Sequence, residues 1–199
     1  GIFIDSGFTD SIHFSSFFFE LERPTDWDPY LAQVERQHTA LLSSGFTIRP
    51  LRTGSQLRED LMQIYKVSKS AFAQNPMYED IPPDIFMRMT EASATSSDMG
   101  ASRLCLSPQG DPVGFLFAFI LKSTMVYKTV AVIPEYQSLG ISLAMTHEMS
   151  IQCKNLNILK CVGALVRNGN RSERIGQGFA SFAKSNGVNH YVLMQRAIL

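Results

Sequence analysis

The sequence predicts an α/β fold: a central mixed sheet with helices packed on it, preceded by a strand-and-helix extension. Three observations predict it. Apolar residues make up 45% of 199, enough to bury the core of one domain of about 100–200 residues. From Phe46 onward, stretches of strand periodicity alternate with stretches of helical periodicity. Pro, Gly and Asn-rich turns punctuate nearly every change of period.

Residues 1–45 read as the extension. Gly1–Asp5 and Ser11–Glu20 are rich in Phe and Ile, which suits strands or a hairpin around Thr9-Asp10. Arg23-Pro24 breaks that run. Asp26 or Asp28 can cap a helix with Pro29 in its first turn, Tyr30, Leu31, Val34, His38, Leu41 and Leu42 recur at helical spacing, and Gly45 supplies the stop. The apolar positions Phe8, Phe14, Phe17, Phe18, Phe19 and Trp27 need cover from the main domain or from a second copy of the chain.

Residues 46–199 read as the main domain. Phe46–Leu51 is a strand, and Leu57, Leu61, Ile64, Tyr65, Ser68 and Phe72 make one helical face ending before Asn75-Pro76. A Pro-bounded loop leads to a second helix from near Asp84, followed by a Ser/Thr/Ala-rich loop over Glu91–Gly100. Ala101–Leu106 and Val113–Lys122 pair as strands across Ser107–Pro112, and Met125–Ile133 is the next strand. Gly140–Lys154 is a helix, Lys160–Val166 a strand, Asn170–Lys184 a helix and Val188–Leu199 a closing strand. The order is β-α-α-β-β-β-α-β-α-β.

Composition excludes several classes. Eighteen Lys and Arg balance eighteen Asp and Glu, so the basic excess of a nucleic-acid binder is absent. The longest apolar stretch, Val113–Leu121, is far short of the roughly 20 residues a bilayer requires. Cys105, Cys153 and Cys161 form no C-x-x-C and cannot all pair, so a reduced, cytoplasmic setting is expected. His147-Glu148 begins like H-E-x-x-H, but Ile151 stands where the second His belongs, and no metal site is expected. No G-x-S-x-G elbow is present, and Gly176-Gln-Gly178 lies within a helical stretch rather than after a strand. The charge is uneven: residues 151–199 sum to +6 and the first 150 to −6. Either the last quarter attracts an anion or the two parts neutralise each other across a surface.

The informative run is Thr129–Met145, where a strand passes through Pro134-Glu-Tyr-Gln137-Ser138-Leu139-Gly140 into a helix beginning Ile141-Ser142. Such a junction points amide N–H groups and the positive end of a helix at one spot, which a pyrophosphate fits. This run resembles the acyl-coenzyme A loop, Q/R-x-x-G-x-G/A, of the GNAT acyltransferase superfamily, with Gln137, Gly140 and Ser142 in its three defined positions. Ser142 departs from the usual Gly or Ala but is small. The order of elements from Phe46 to Leu199 agrees with that superfamily, Gly45–Leu51 resembles its opening strand, and Val166–Ser172 sits where its members keep an Asn after the fifth strand, in contact with pantetheine. Residues 1–45 resemble, loosely, the tail of a preceding half-domain in larger tandem members.

The resemblance implies a GNAT-like sheet and an N-acyltransferase, most simply an acetyltransferase, that uses acetyl-coenzyme A as co-substrate without a metal. The cofactor would lie along Val130, Ala131 and Val132, on the loop Gln137, Ser138, Leu139, Gly140, Ile141 and Ser142, and beside Asn168, Asn170 and Ser172. An amine of a small molecule or peptide would attack the thioester directly. The Tyr that many members place about seven residues after the Asn is absent; Tyr191 is the aromatic hydroxyl available in that half, and Glu135 and Glu148 are the carboxylates available as a base. Tyr78, Glu79 and Asp80 would form the acceptor lip and suit a cationic amine. The chain is expected to act as a monomer or homodimer. The alternative is a catalytically silent member that binds coenzyme A or serves as an interaction module.

Overall fold

The structure, a computed structural model, describes residues 5–6, 8–75, 78–96, 98–170, 178–179 and 183–195, with the side chains of 94–96 excepted. Strand β1 spans Thr9–Glu20, and a 3-10 turn at Pro24–Trp27 leads into helix α1, Asp28–Ser43. Then come β2 (Thr47–Pro50), α2 (Ser55–Phe72), α3 (Pro83–Ser96), β3 (Arg103–Leu106), β4 (Pro112–Leu121), β5 (Thr124–Val132), α4 (Ile141–Asn155), β6 (Lys160–Arg167) and β7 (Lys184–Gln195). The Asn170–Lys184 helix falls mostly outside the described residues; Gly178 and Phe179 are helical.

Seven strands form one sheet in the order β2-β3-β4-β5-β6-β1-β7. Every neighbouring pair is antiparallel except β5 and β6. Thr9 and Asp10 lie within one strand, Thr9–Glu20, rather than at a turn, and residues 1–4 of the first expected strand fall outside the described residues. This strand is inserted between β6 and β7, so residues on both sides of position 45 share a single sheet. Two apolar clusters cover the two faces. One joins Trp27, Tyr30, Val34 and Leu41 to Ile141, Met145 and Met149 and to Leu116 of the sheet; the other joins Leu61, Ile64 and Val67 of α2 and Met87 of α3 to Leu104, Phe115 and Phe117. The molecule is thus three layers deep, with α1 and α4 on one face and α2 and α3 on the other.

The extension is covered in cis at Trp27 and Phe19, while Phe8, Phe14, Phe17 and Phe18 are half-buried. Trp27 is wholly buried, its indole Nε1 donating to the carbonyl of Ile158 (3.1 Å). Phe19 is buried beside Phe179. Charge follows the same seam: Lys154 pairs with Asp28 and Lys160 with Glu20, so part of the basic last quarter neutralises acids of the first 45 residues.

Helix α3 continues to Ser96, through a stretch that composition reads as a loop. The hydroxyls of Thr90 and Ser93 donate back to the carbonyls of Phe86 and Met89, so these side chains bond within the helix instead of competing with it. Among the described residues, no helix is long and apolar enough to cross a membrane.

Candidate functional site

Strands β5 and β6 begin as a regular parallel pair, Thr124 opposite Lys160 through Tyr127 opposite Gly163, and then part. Each strand carries an extra residue at the point of parting. In β5, Lys128 has no partner, because Phe117 and Ala118 of β4 face Thr129 and Tyr127. In β6, Ala164 and Leu165 lie opposite the single residue Ser16 of β1. Such bulges bend a strand and increase its twist. Leu165 adopts φ +51°, a left-handed conformation that costs a non-glycine residue about 1–2 kcal/mol. Its amide donates to Ser16 Oγ (3.0 Å), which replaces the lost ladder bond.

The parted strands open a cleft of about 610 Å³, and a smaller one of about 250 Å³ shares Phe72, Asn75, Val130, Arg167 and Asn170 with it. Small-molecule pockets commonly run to about 300–1,000 Å³. The larger cleft is lined by Val130, Ala131 and Val132 of β5, by Gln137, Ser142 and Leu143, by Arg167 at the end of β6 with Gly169 and Asn170 beyond it, and by Ala71, Phe72, Gln74 and Asn75 at the end of α2. Strand alternation decides which backbone groups face it. The Ile133 amide bonds the Val113 carbonyl (3.0 Å), so the polar groups of Ala131 also point towards β4, while those of Val130 and Val132 point towards the cleft. On that side Gln137 Nε2 donates to the Val132 carbonyl (3.1 Å).

The connection from β5 to α4 is a 3-10 turn, Pro134–Tyr136, followed by Gly140 at φ +76°. The amides of Gln137 and Leu139 are bonded to Pro134 and Tyr136 carbonyls. Those of Ser138, Gly140, Ile141 and Ser142 have no protein acceptor among the described residues. They join the positive end of the 15-residue α4. A Cβ at Gly140 would meet only Gln37, at 3.8 Å, so the left-handed backbone rather than crowding calls for glycine there. Gly114 has the opposite reason: a Cβ would meet Ile141 Cγ2 at 3.1 Å and the Ala131 carbonyl at 3.2 Å, so its absence lets α4 sit close on the sheet.

Ser138 and Leu139 are exposed on the loop and Ile141 is buried under it. Asn170 lines the cleft, whereas Asn168 turns towards β1, its Oδ1 accepting from Ser15 Oγ (2.9 Å), which also contacts His190 Nδ1 (3.1 Å). Ser172 lies outside the described residues. Tyr191 is on β7, opposite Phe14, two strands from β6 and away from the cleft. Glu135 is exposed in the 3-10 turn and does not line the cleft. Glu148 lies on α4 against His38 of α1, at 2.8 Å. Tyr78, Glu79 and Asp80 follow the α2 wall without lining the cleft; Asp80 pairs with Lys69 and accepts from the Tyr78 hydroxyl (3.5 Å). Partial burial and the Asp80 charge raise the Tyr78 hydroxyl above its usual range.

Arg167, Phe72, Gln74 and Leu143 line the cleft without having been singled out from sequence. A cation at the end of a strand entering a Gly-Asn turn was the available signal for Arg167. Among the described lining residues it is the sole ionisable side chain: no Tyr, His, Cys, Asp or Glu reaches the larger cleft. The cysteines are buried elsewhere, and burial pushes the thiols of Cys105 and Cys153 up to about 12, so neither is a thiolate nucleophile near neutral pH.

No protein-family model and no curated protein sequence matches the chain; likeness is found in solved structures. A GCN5-related N-acetyltransferase from Sphaerobacter thermophilus superposes on 100% of this chain and 57% of its own, with 14% identity and a TM-score of 0.65. The GCN5-related glucosamine N-acetyltransferase region of a fungal multi-domain β-N-acetylglucosaminidase matches over 97% of this chain and 21% of its own, with 8% identity and a TM-score of 0.60. L-PGS from Bacillus licheniformis matches over 98% and 63%, with 10% identity and a TM-score of 0.55. The chain spans from about a fifth to under two thirds of these proteins. Its fold is that of the GCN5-related N-acetyltransferases, as the resemblance implied.

Proposed function

We propose that the chain is an acyl-coenzyme A dependent N-acyltransferase, with acetyl as the simplest acyl group and an amine as acceptor. The observation that carries this reading is the pair of bulges that part β5 from β6 directly before a loop of uncommitted amides. The residues fit the co-substrate. The amides of Gly140, Ile141 and Ser142, at the start of α4, suit a diphosphate, with Arg167 supplying a cation in the same cleft. Ser142 is small enough to allow close approach. The cleft-facing groups of Val130 and Val132 suit the pantetheine amides, and an N–H there would polarise the thioester carbonyl. Bound acyl-coenzyme A would supply an activated acyl carbon. The amine nitrogen forms its bond to that carbon as the carbon–sulfur bond breaks, the thiolate leaves, and the amine loses a proton to solvent. Positioning both reactants in one cleft provides much of the acceleration.

The acceptor end is proposed to be the loop of Tyr78, Glu79 and Asp80, which continues from the α2 wall. Lys69 already occupies Asp80, leaving the exposed Glu79 as the carboxylate for a cationic amine. The absence of a carboxylate, phenol or imidazole among the described lining residues of the larger cleft also favours a second reading, a coenzyme A binder without transfer activity.

Calorimetry with acetyl-coenzyme A tests the co-substrate. Wild type should bind, and Ser142→Glu, which sets a carboxylate against the phosphate-facing amides, should weaken binding by at least about tenfold. No heat with the wild-type chain would refute both readings. Free-thiol release across an amine panel then separates them, transfer giving thiol and a silent binder giving none.

A further inference from the structure

We propose that His38, His147 and Glu148 form a zinc site that clamps α1 to α4. The sequence places His147 and Glu148 side by side and offers no second histidine one turn on, since that position is Ile151. The fold supplies it from another helix. One ligand-type atom from each of the three side chains lies within 4.8 Å of the other two. His38 Nε2 is 2.8 Å from Glu148 Oε1, and the His38 and His147 rings stack with centroids 4.2 Å apart and planes 27° apart.

Two further observations point to a ligand. His147 is only 6% exposed, and its Nδ1 is buried with no hydrogen-bond partner. His38 and Glu148 remain partly exposed, at 13% and 29% of their side chains, giving an ion a path from solvent. Two imidazoles and a carboxylate, with a fourth position open to water, make a donor set suited to zinc. Ligands about 2.0–2.1 Å from a tetrahedral ion stand about 3.3 Å apart, so the stacked rings must fan apart by on the order of 1 Å. Glu35, about one turn before His38, contributes negative potential at His147. Arg103 lies behind the cluster, donating to the Glu148 carbonyl (3.0 Å) and presenting its charge to that residue.

The clamp would fasten the N-terminal segment to the helix that opens onto the cleft. Gln37, next to His38, is the residue facing Gly140. The inference is independent of the proposed acyl transfer, because it needs neither coenzyme A nor an acceptor.

The test is titration of the chelator-treated full chain with zinc chloride, followed by calorimetry and thermal shift. One zinc per chain at micromolar or tighter affinity is expected, with a rise in Tm. Cobalt chloride should give the visible absorption of a low-coordinate nitrogen–oxygen site. His147 is buried and its replacement threatens folding, so the discriminating variants are the partly exposed His38→Gln and Glu148→Gln. Each should weaken zinc binding at least about tenfold, whereas His13→Gln and His190→Gln should leave it unchanged. No uptake at millimolar zinc, or uptake that His38→Gln and Glu148→Gln leave intact, would overturn the proposal.

Discussion

The two walls of the cleft are bent by the same device but held by different means. The β5 wall lies against β4, whose residues Val113–Ala118 are all buried, between helices on both faces. The β6 wall leans on β1, and beyond β1 lies β7, where eleven of twelve residues are exposed. One wall is shaped by its sequence neighbours. The other is shaped by a strand that arrives from roughly 150 positions earlier, whose Ser16 hydroxyl holds the Leu165 bend.

The largest expected effect tests whether the early segment belongs to the same cooperative unit as the sheet. Trp27→Ala removes a wholly buried ring and leaves the Ile158 carbonyl without its donor, so a loss of about 3–5 kcal/mol is expected. Trp27 is the chain's single tryptophan, so urea unfolding should be followed by circular dichroism. The whole transition should move to lower denaturant. A β-sheet transition left in place, with only a minor early phase lost, would show that residues 1–45 fold apart from the rest.

This contrast also marks what could be read from the residues. Gly140, the run before it and the strand order from Phe46 onward are local patterns, and local periodicity carries them. The place of β1 between β6 and β7 is a pairing choice with no local signature. The two bulges are equally silent, since Lys128 and Leu165 are ordinary residues for a strand. His38 looked like one position on an apolar helical face, and only the packing of α1 on α4 brings it to His147 and Glu148. Nothing in the local pattern marks Asp60 either, a carboxylate that the fold buries completely.

Asp60 provides a sharper test of the β5 side, because it fixes the helix whose far end, Ala71 and Phe72, also lines the cleft. Arg49 donates to both its oxygens (2.8 and 2.7 Å), and Arg52 adds its amide (2.8 Å) and guanidinium (2.6 Å). Burial opposes ionisation here, but the two arginines and the Arg52 amide outweigh it and hold the carboxyl well below the usual range. Asp60→Asn should cost about 3 kcal/mol, the low end for a buried pair, because both arginines reach solvent. The sign with pH follows from the depressed value. The carboxylate's contribution is complete above the unfolded pKa of about 3.9 and is lost as pH falls below it. Urea midpoints measured from pH 6 down to pH 2.5 should therefore fall less steeply in Asp60→Asn than in wild type; parallel slopes would remove Asp60 from this role.

The smallest effect expected lies on the other wall and has the opposite sign. Leu165 holds φ +51° and is 53% exposed as a residue, so glycine there relieves backbone strain and forfeits little burial. Against this stands the greater freedom that glycine gives the unfolded chain, about 0.5–1 kcal/mol. With about 1–2 kcal/mol of strain relieved, Leu165→Gly should leave stability unchanged or raise it by up to about 1 kcal/mol, measured by urea denaturation. A loss of more than about 1 kcal/mol would mean that the β6 wall is held by the packing of Leu165. In that event the bend would not be the work of the Ser16 hydroxyl, and Ser16→Ala should then leave the stability of the wall untouched.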